Sequence, residues 1–142
     1  MMVKQISVFL ENKTGRLAEA TDVLGRNGIN IRALSIADTK DFGILRIIVA
    51  DPAKAETVLK DAGFMLTTTD VITVNVPDRP GGLHEILDIF ADLNIAIEYM
   101  YAFPTIHEKR AYVVIRVEDP DKAVAALLKK GIVVVPAEMV YT

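Results

Sequence analysis

The sequence predicts an α+β protein built of two βαββαβ units, each an antiparallel sheet with two helices on one face. Three observations predict it. Short apolar runs alternate with period two, and the segments between them carry apolar residues at helical spacing. The turn residues that separate these runs come in the same order twice. Finally, the chain superimposes on itself. A shift of 66 residues brings Ile6 onto Ile72, Val8 onto Val74, Gly15 onto Gly81, Leu17 onto Leu83 and Ile31 onto Ile97. Further on the shift is 68, and Asp51-Pro52 meets Asp119-Pro120 while Leu59 and Gly63 meet Leu127 and Gly131. Glycines, Asp-Pro pairs and apolar phase recurring in one order mark an internal duplication.

The elements follow in order. Val3–Leu10 reads as a strand, with Gln5 and Ser7 between Ile6 and Val8. Gly15–Asn27 is a helix on the spacing of Leu17, Ala20, Val23 and Leu24, closed by Asn27-Gly28. Ile29–Ala37 is a second strand, and Asp38-Thr39-Lys40-Asp41 a turn cluster. Phe42–Ala50 is a third strand, rich in β-branched residues. Asp51 caps a second helix with Pro52 at its first position; it runs to Ala62, and Gly63 ends it. Phe64–Thr68 is the fourth strand. The second half repeats this with strand Val71–Val76, helix Gly81–Leu93, strand Ile95–Phe103 and a longer turn through Pro104 to Glu108. Strand Arg110–Val117, a helix from Pro120 to Lys130 and strand Ile132–Val135 follow, and Glu138–Tyr141 is expected to extend the edge. The domains are therefore 1–69 and 70–142, linked by Thr69 and Asp70 alone, so the halves are expected to pack side by side with little independent motion.

Composition narrows the function. The chain has 142 residues, a formal net charge of −3 and no cysteine, and half of it is apolar. Disulfides and thiolate metal sites are excluded, and the chain is expected to be cytoplasmic. With only His84 and His107, a zinc site has no support, and no cofactor is expected. The scattered charges lack the basic face of a nucleic-acid binder. No apolar run approaches the roughly 20 residues of a membrane helix, so no membrane partner is expected.

Chemistry concentrates in the two strand-to-helix turns, Asn12-Lys13-Thr14-Gly15-Arg16-Leu17 and Asp78-Arg79-Pro80-Gly81-Gly82-Leu83. In both, glycine allows close approach of backbone or ligand, and the first free amides of a helix point into the turn. Such a turn can seat a small anion, and a zwitterion's ammonium would find a charged acceptor in Asp78 and a neutral one in Asn12. The same two side chains could instead cap their helices. Arg79 and Lys13 read as solvated turn charges before carboxylate contacts, and both histidines as surface residues. Tyr99 and Tyr101 share a strand face and read as sheet packing before a pocket wall. A bulky residue at Gly81 is expected to fill the turn and abolish binding more than it unfolds the protein.

Two βαββαβ units, each with a D/N-x-x-G-x-L turn after the first strand, resemble tandem ACT domains, regulatory modules that bind amino acids. Gly28-Ile29-Asn30-Ile31 and Asn94-Ile95-Ala96-Ile97 also match that family at the start of the second strand. The resemblance covers nearly the whole chain. It implies two ferredoxin-like units and a stand-alone sensor rather than an enzyme, with a free amino acid as ligand. The implied ligand lies between the turn of one unit and the second strand of a neighbouring unit, which adds Asn30, Ile31, Ala96 and Ile97 to the candidate site. A homo-oligomer, most simply a dimer, is implied too, with an enzyme or regulator of amino-acid metabolism as its target. Two alternatives share the topology. An RRM-like RNA-binding module would need aromatics on its first and third strands, and that set is missing. A small ferredoxin-like enzyme of the acylphosphatase type would need an arginine anion cradle and an oriented asparagine; Arg79 sits in a turn, but no matching pair repeats.

Overall fold

The computed structural model describes residues 2–11, 13–39, 41–104 and 110–141. The expectations for Asn12, Lys40, the turn from Thr105 to Glu108 and His107 lie outside the described residues. The chain divides into two compact units, Lys4–Thr69 with Tyr141, and Asp70–Val140 with Met2 and Val3.

In the N-terminal unit, β1 (Val3–Glu11) pairs antiparallel with β3 (Phe42–Val49), and β3 pairs antiparallel with β2 (Ile31–Asp38). Side chains alternate across a strand, so Ile6, Val8 and Leu10 of β1 share a face with Leu45, Ile47 and Val49 of β3. That face is closed by α1 (Arg16–Arg26) through Ala20, Val23 and Leu24, and by α2 (Pro52–Asp61) through Ala55 and Leu59. Ile29 and Phe64 complete this core. Each fully buried large side chain contributes on the order of 1.5–3 kcal/mol. The C-terminal Tyr141 belongs to this unit, and its hydroxyl accepts the Lys4 N–H at 2.8 Å.

The C-terminal unit repeats the plan. Its strands come from β4 (Met65–Pro77), β5 (Ile97–Ala102) and β6 (Arg110–Val117), with β6 paired antiparallel to both others. Ile72, Val74 and Val76 face Ile86 and Phe90 of α3 (Gly82–Asp92) and Ala123, Val124 and Leu127 of α4 (Pro120–Lys129). Arg116 ties three strands together. Its Nη1 donates to the Asp70 carbonyl at 2.9 Å and its Nε to Glu98 at 3.2 Å. The two units are thus of the α+β class with the ferredoxin-like layout, and both proline-led helices begin as the sequence requires. Asp51 accepts the Lys54 N–H and Asp119 the Lys122 N–H, each at 3.1 Å.

Three expectations are corrected. The strands expected at Phe64–Thr68 and Val71–Val76 are one strand, β4, of 13 residues. Thr67, Thr68, Thr69 and Asp70 include no glycine or proline to turn the chain, and the threonines favour extended backbone. The strand expected at Ile132–Val135 is reduced to a bridge between Val74 and Val134. It is held by Asn75 N–H to the Val133 carbonyl at 3.1 Å and Val135 N–H to the Thr73 carbonyl at 2.8 Å. The edge extension at Glu138–Tyr141 is instead a short helix, α5 (Ala137–Tyr141). Pro136 has no N–H for a ladder and a φ suited to a helix start, and its carbonyl accepts the Met139 N–H at 3.0 Å.

The capping geometry sets an expectation. Asp51→Ala and Asp119→Ala should each lower stability by about 1 kcal/mol. Phe90→Ala, which empties the core of the C-terminal unit, should cost about 3–5 kcal/mol. Urea unfolding midpoints measure all three, and equal losses would contradict the assignment of caps and core.

Candidate functional site

The second turn is built from backbone. Val76 ends the buried part of β4, and Asp78, Arg79 and Pro80 are exposed. The Arg79 N–H donates to the Pro77 carbonyl at 3.0 Å, and the Gly82 N–H to the Arg79 carbonyl at 2.9 Å. Gly81 is the N-cap of α3, at φ 83 and ψ −7, a left-handed conformation that an L side chain resists by roughly 1–2 kcal/mol. The first bond of the helix runs from the Glu85 N–H to the Gly81 carbonyl at 3.1 Å. The amides of Leu83 and His84 therefore face the turn with no acceptor among the described residues, because a glycine cap has no side chain to offer.

Asp78 does not cap α3. The helix has no side-chain cap bond, and the Asp78 carboxylate has no hydrogen-bond partner among the described residues. Arg79 is not free. It forms an ion pair with Glu85 at 3.0 Å, with both side chains about half exposed, which is worth little in stability. His84 is exposed.

The two glycines of this turn differ in role. A Cβ on Gly81 would meet no atom within 4 Å. No protein atom crowds the position, so the fold needs glycine there for its backbone conformation. Gly82 is the reverse. A Cβ there would stand 2.0 Å from the Pro77 carbonyl oxygen, so the helix start and the strand end approach each other at this residue. Leu83 is 38% exposed, on the solvent side of the first helical turn.

The first turn has the same backbone and different side chains. Gly15 caps α1 at φ 90 and ψ −8, again without a side-chain cap bond. The Arg16 N–H reaches the Lys13 carbonyl at 3.4 Å, and the Glu19 N–H donates to the Gly15 carbonyl at 2.9 Å. The Leu17 and Ala18 amides are left open among the described residues. Lys13 pairs with Glu11 at 3.0 Å, and its ammonium, first by hydrogen bond and then by charge, holds the Glu11 carboxyl below its usual range. Thr14 is exposed. Arg16 stands where the second turn has Gly82. Its guanidinium lies 4.3 Å from the centre of the Phe64 ring and donates to Glu19 at 2.6 Å, while its buried Nε has no partner among the described residues.

The second-strand candidates lie elsewhere in each unit. Glu11 pairs with Phe42 at one end of β3, and Ile31 with Val49 at the other. In the C-terminal unit Pro77 pairs with Arg110, and Ile97 with Val117. Seven residues of extended strand separate the two positions, about 23 Å at roughly 3.3 Å per residue. Within a unit, then, the turn set and the second-strand set are not brought together. Ile31 and Ile97 are half-buried and pack on their cores, and Asn30 is exposed, its carbonyl accepting the Ala50 N–H at 3.0 Å. Ala96 is exposed and borders an open cavity of about 280 Å³, together with Asn94, Glu98, Glu118, Asp119 and Lys122.

A second cavity, of about 260 Å³, escaped the sequence reading. It opens beside the Asp78 turn and is lined by Pro77, Glu85, Ile86, Ile89, Arg110 and Ile132, among others. Its signal in the sequence is faint: Ile86 and Ile89 stand three apart on α3, a spacing that core residues share. Tyr99 and Tyr101 line neither cavity. Among the described residues, no helix is long and apolar enough to cross a membrane.

A family profile described as an ACT domain pair matches residues 1–141. Protein BT0572 from Bacteroides thetaiotaomicron is 44% identical, with all of this chain and 97% of that one covered, at a TM-score of 0.93. The regulatory subunit of aspartate kinase from Thermus thermophilus, in its ligand-free form, is 18% identical over 89% of this chain and 90% of that one, at a TM-score of 0.64. The corresponding subunit from Thermus flavus gives 18%, 89%, 90% and 0.60. At such identities the likeness to the two kinase subunits concerns the fold alone. No match was found among curated proteins.

The two glycines make opposite predictions. Gly82→Ala should cost about 3 kcal/mol or more, since backbone must move, and Gly81→Ala about 1 kcal/mol. Urea denaturation of both variants would show the order, and a Gly81→Ala variant less stable than Gly82→Ala would contradict the geometry.

Proposed function

The chain belongs to the ACT domain pair family, and on that footing we propose that it is an amino-acid sensor, a regulatory protein and not an enzyme. The observation that carries this reading is the second turn. Two open amides, Leu83 and His84, stand at the positive end of α3 beside Asp78, a carboxylate with no partner among the described residues. A free α-amino acid carries the complement of that pair. Its carboxylate takes the amides, where the helix dipole favours an anion by roughly 0.3–1 kcal/mol. Its ammonium takes Asp78 in a charge-assisted bond worth about 1.5–3 kcal/mol. Gly81 matters because a side-chain cap at the same position would occupy the amides that the ligand needs.

The first turn offers the open amides of Leu17 and Ala18, but Arg16 is engaged with Phe64 and Glu19. The second turn is therefore the principal site. The second-strand residues Asn30, Ile31, Ala96 and Ile97 lie about 23 Å along the sheet from their own unit's turn. Their place in the binding site requires a neighbour, and we propose that a second copy of the chain supplies it in a homodimer. The target that reads the bound state is an enzyme or regulator of amino-acid metabolism, acting in the cytoplasm.

Titration calorimetry against the twenty amino acids tests the reading. At least one should bind with Kd below about 1 mM, and Asp78→Ala should weaken it by about tenfold or more, the equivalent of one charge-assisted bond. Light scattering should give the mass of a dimer. No heat of binding from any amino acid at millimolar concentration would end the proposal.

A further inference from the structure

The cavity of about 260 Å³ next to the second turn has no part in the head-group chemistry described so far. Its walls begin where that chemistry stops. Pro77 immediately precedes Asp78, and Glu85 immediately follows His84, so two lining residues are chain neighbours of the proposed ammonium acceptor and of one carboxylate donor. The floor is aliphatic. Ile86 is buried, and Ile89 and Ile132 are half-buried against the core of the C-terminal unit. The rim carries one charge of each sign, Glu85 and Arg110. Glu85 is already paired with Arg79 at 3.0 Å.

We infer that this cavity receives the ligand's side chain and selects amino acids whose side chain is uncharged and of medium to large size, aliphatic or aromatic. The inference rests on the head-group reading given under Proposed function and adds the specificity that reading lacks. Size argues for it. The space is below the roughly 300–1,000 Å³ of sites that enclose larger ligands, and it suits a fragment of a few carbons. Charge argues for it as well. Glu85 is held by Arg79 and both rim charges are exposed, so a charged side chain pressed onto the floor of Ile86, Ile89 and Ile132 would lose its water without a partner there. Glycine and alanine would leave the aliphatic floor uncovered, and each methylene not buried forfeits about a fourfold gain in affinity.

The test is calorimetry on the full chain with leucine, phenylalanine and histidine at pH 8 on one side, and glycine, alanine, aspartate and lysine on the other. The expected result is that the preferred ligand comes from the first group and exceeds alanine and aspartate by at least tenfold. Ile89→Phe narrows the cavity and should weaken that ligand at least tenfold while the affinity for glycine changes less than twofold. Ile89 packs on the core, so a second variant guards against misfolding. Val133→Phe alters a cavity-lining residue that is 54% exposed, and should act in the same direction with an unchanged melting temperature. If the wild-type chain binds amino acids but glycine, aspartate and leucine bind alike, or both variants bind as the wild type does, the side-chain inference is overturned and the head-group reading stands. If no amino acid binds the wild-type chain, both fall together.

Discussion

A left-handed backbone at Gly15 and Gly81 is the constraint from which the rest of each unit follows. The strand must end, reverse and lay a helix back across its own apolar face, within the span between Glu11 and Arg16 or between Pro77 and Gly82. Positive φ at the cap turns the chain sharply enough to do so. It thereby sets the phase of each helix, so that Ala20, Val23 and Leu24, or Ile86 and Phe90, meet the inward side of the strands. The same choice of residue leaves the helix without a side-chain cap. The turn and the open amides thus share one cause. The residue that permits the turn is also the residue that fails to satisfy the amides behind it. Elsewhere the chain shows what satisfying them looks like: Asp51 and Asp119 close the N-termini of α2 and α4 with their own carboxylates.

Duplication has kept the backbone device and varied what surrounds it. In the C-terminal unit Pro77 and Gly82 approach so closely that no side chain fits at 82. In the N-terminal unit the corresponding position is Arg16, so strand end and helix start must stand further apart there. The room is taken by a guanidinium laid over Phe64, which holds the cation through its aliphatic stem and the ring face as well as through Glu19. A cation seated in this way is committed to the fold. The two turns therefore diverge in what they can offer a ligand, although their φ and ψ values nearly coincide.

Most of the architecture was legible because it is periodic. The alternation in Ile72-Thr73-Val74 and the spacing of Leu17, Ala20 and Leu24 have direct geometric causes, and Asp-Pro is a helix start with a mechanism. What misled was context. Thr69-Asp70 looks like a link only if each repeat is assumed to end where its pattern pauses, yet nothing in those residues breaks an extended chain. By position Glu138–Tyr141 suits a sheet edge, while Pro136 decides for a helix. The glycines of the motif were legible as glycines, but whether each one serves φ, a close approach or a ligand depends on which atoms lie where its Cβ would be. No spacing rule encodes that. The cavity beside α3 was hidden for a similar reason, since a half-buried isoleucine reads in sequence like any core isoleucine.

Because the turn residues pair at one end of β3 and β6 and the second-strand residues at the other, neither unit can complete by itself the site that the family resemblance implies. A ligand held at the Asp78 turn would leave its far side open to whatever another copy presents. Where a second copy closes that side, ligand affinity and self-association become linked quantities, each raising the other by the same factor. Such linkage alone would let the chain report an amino-acid concentration, because the fraction of assembled chain then follows the fraction of occupied turns.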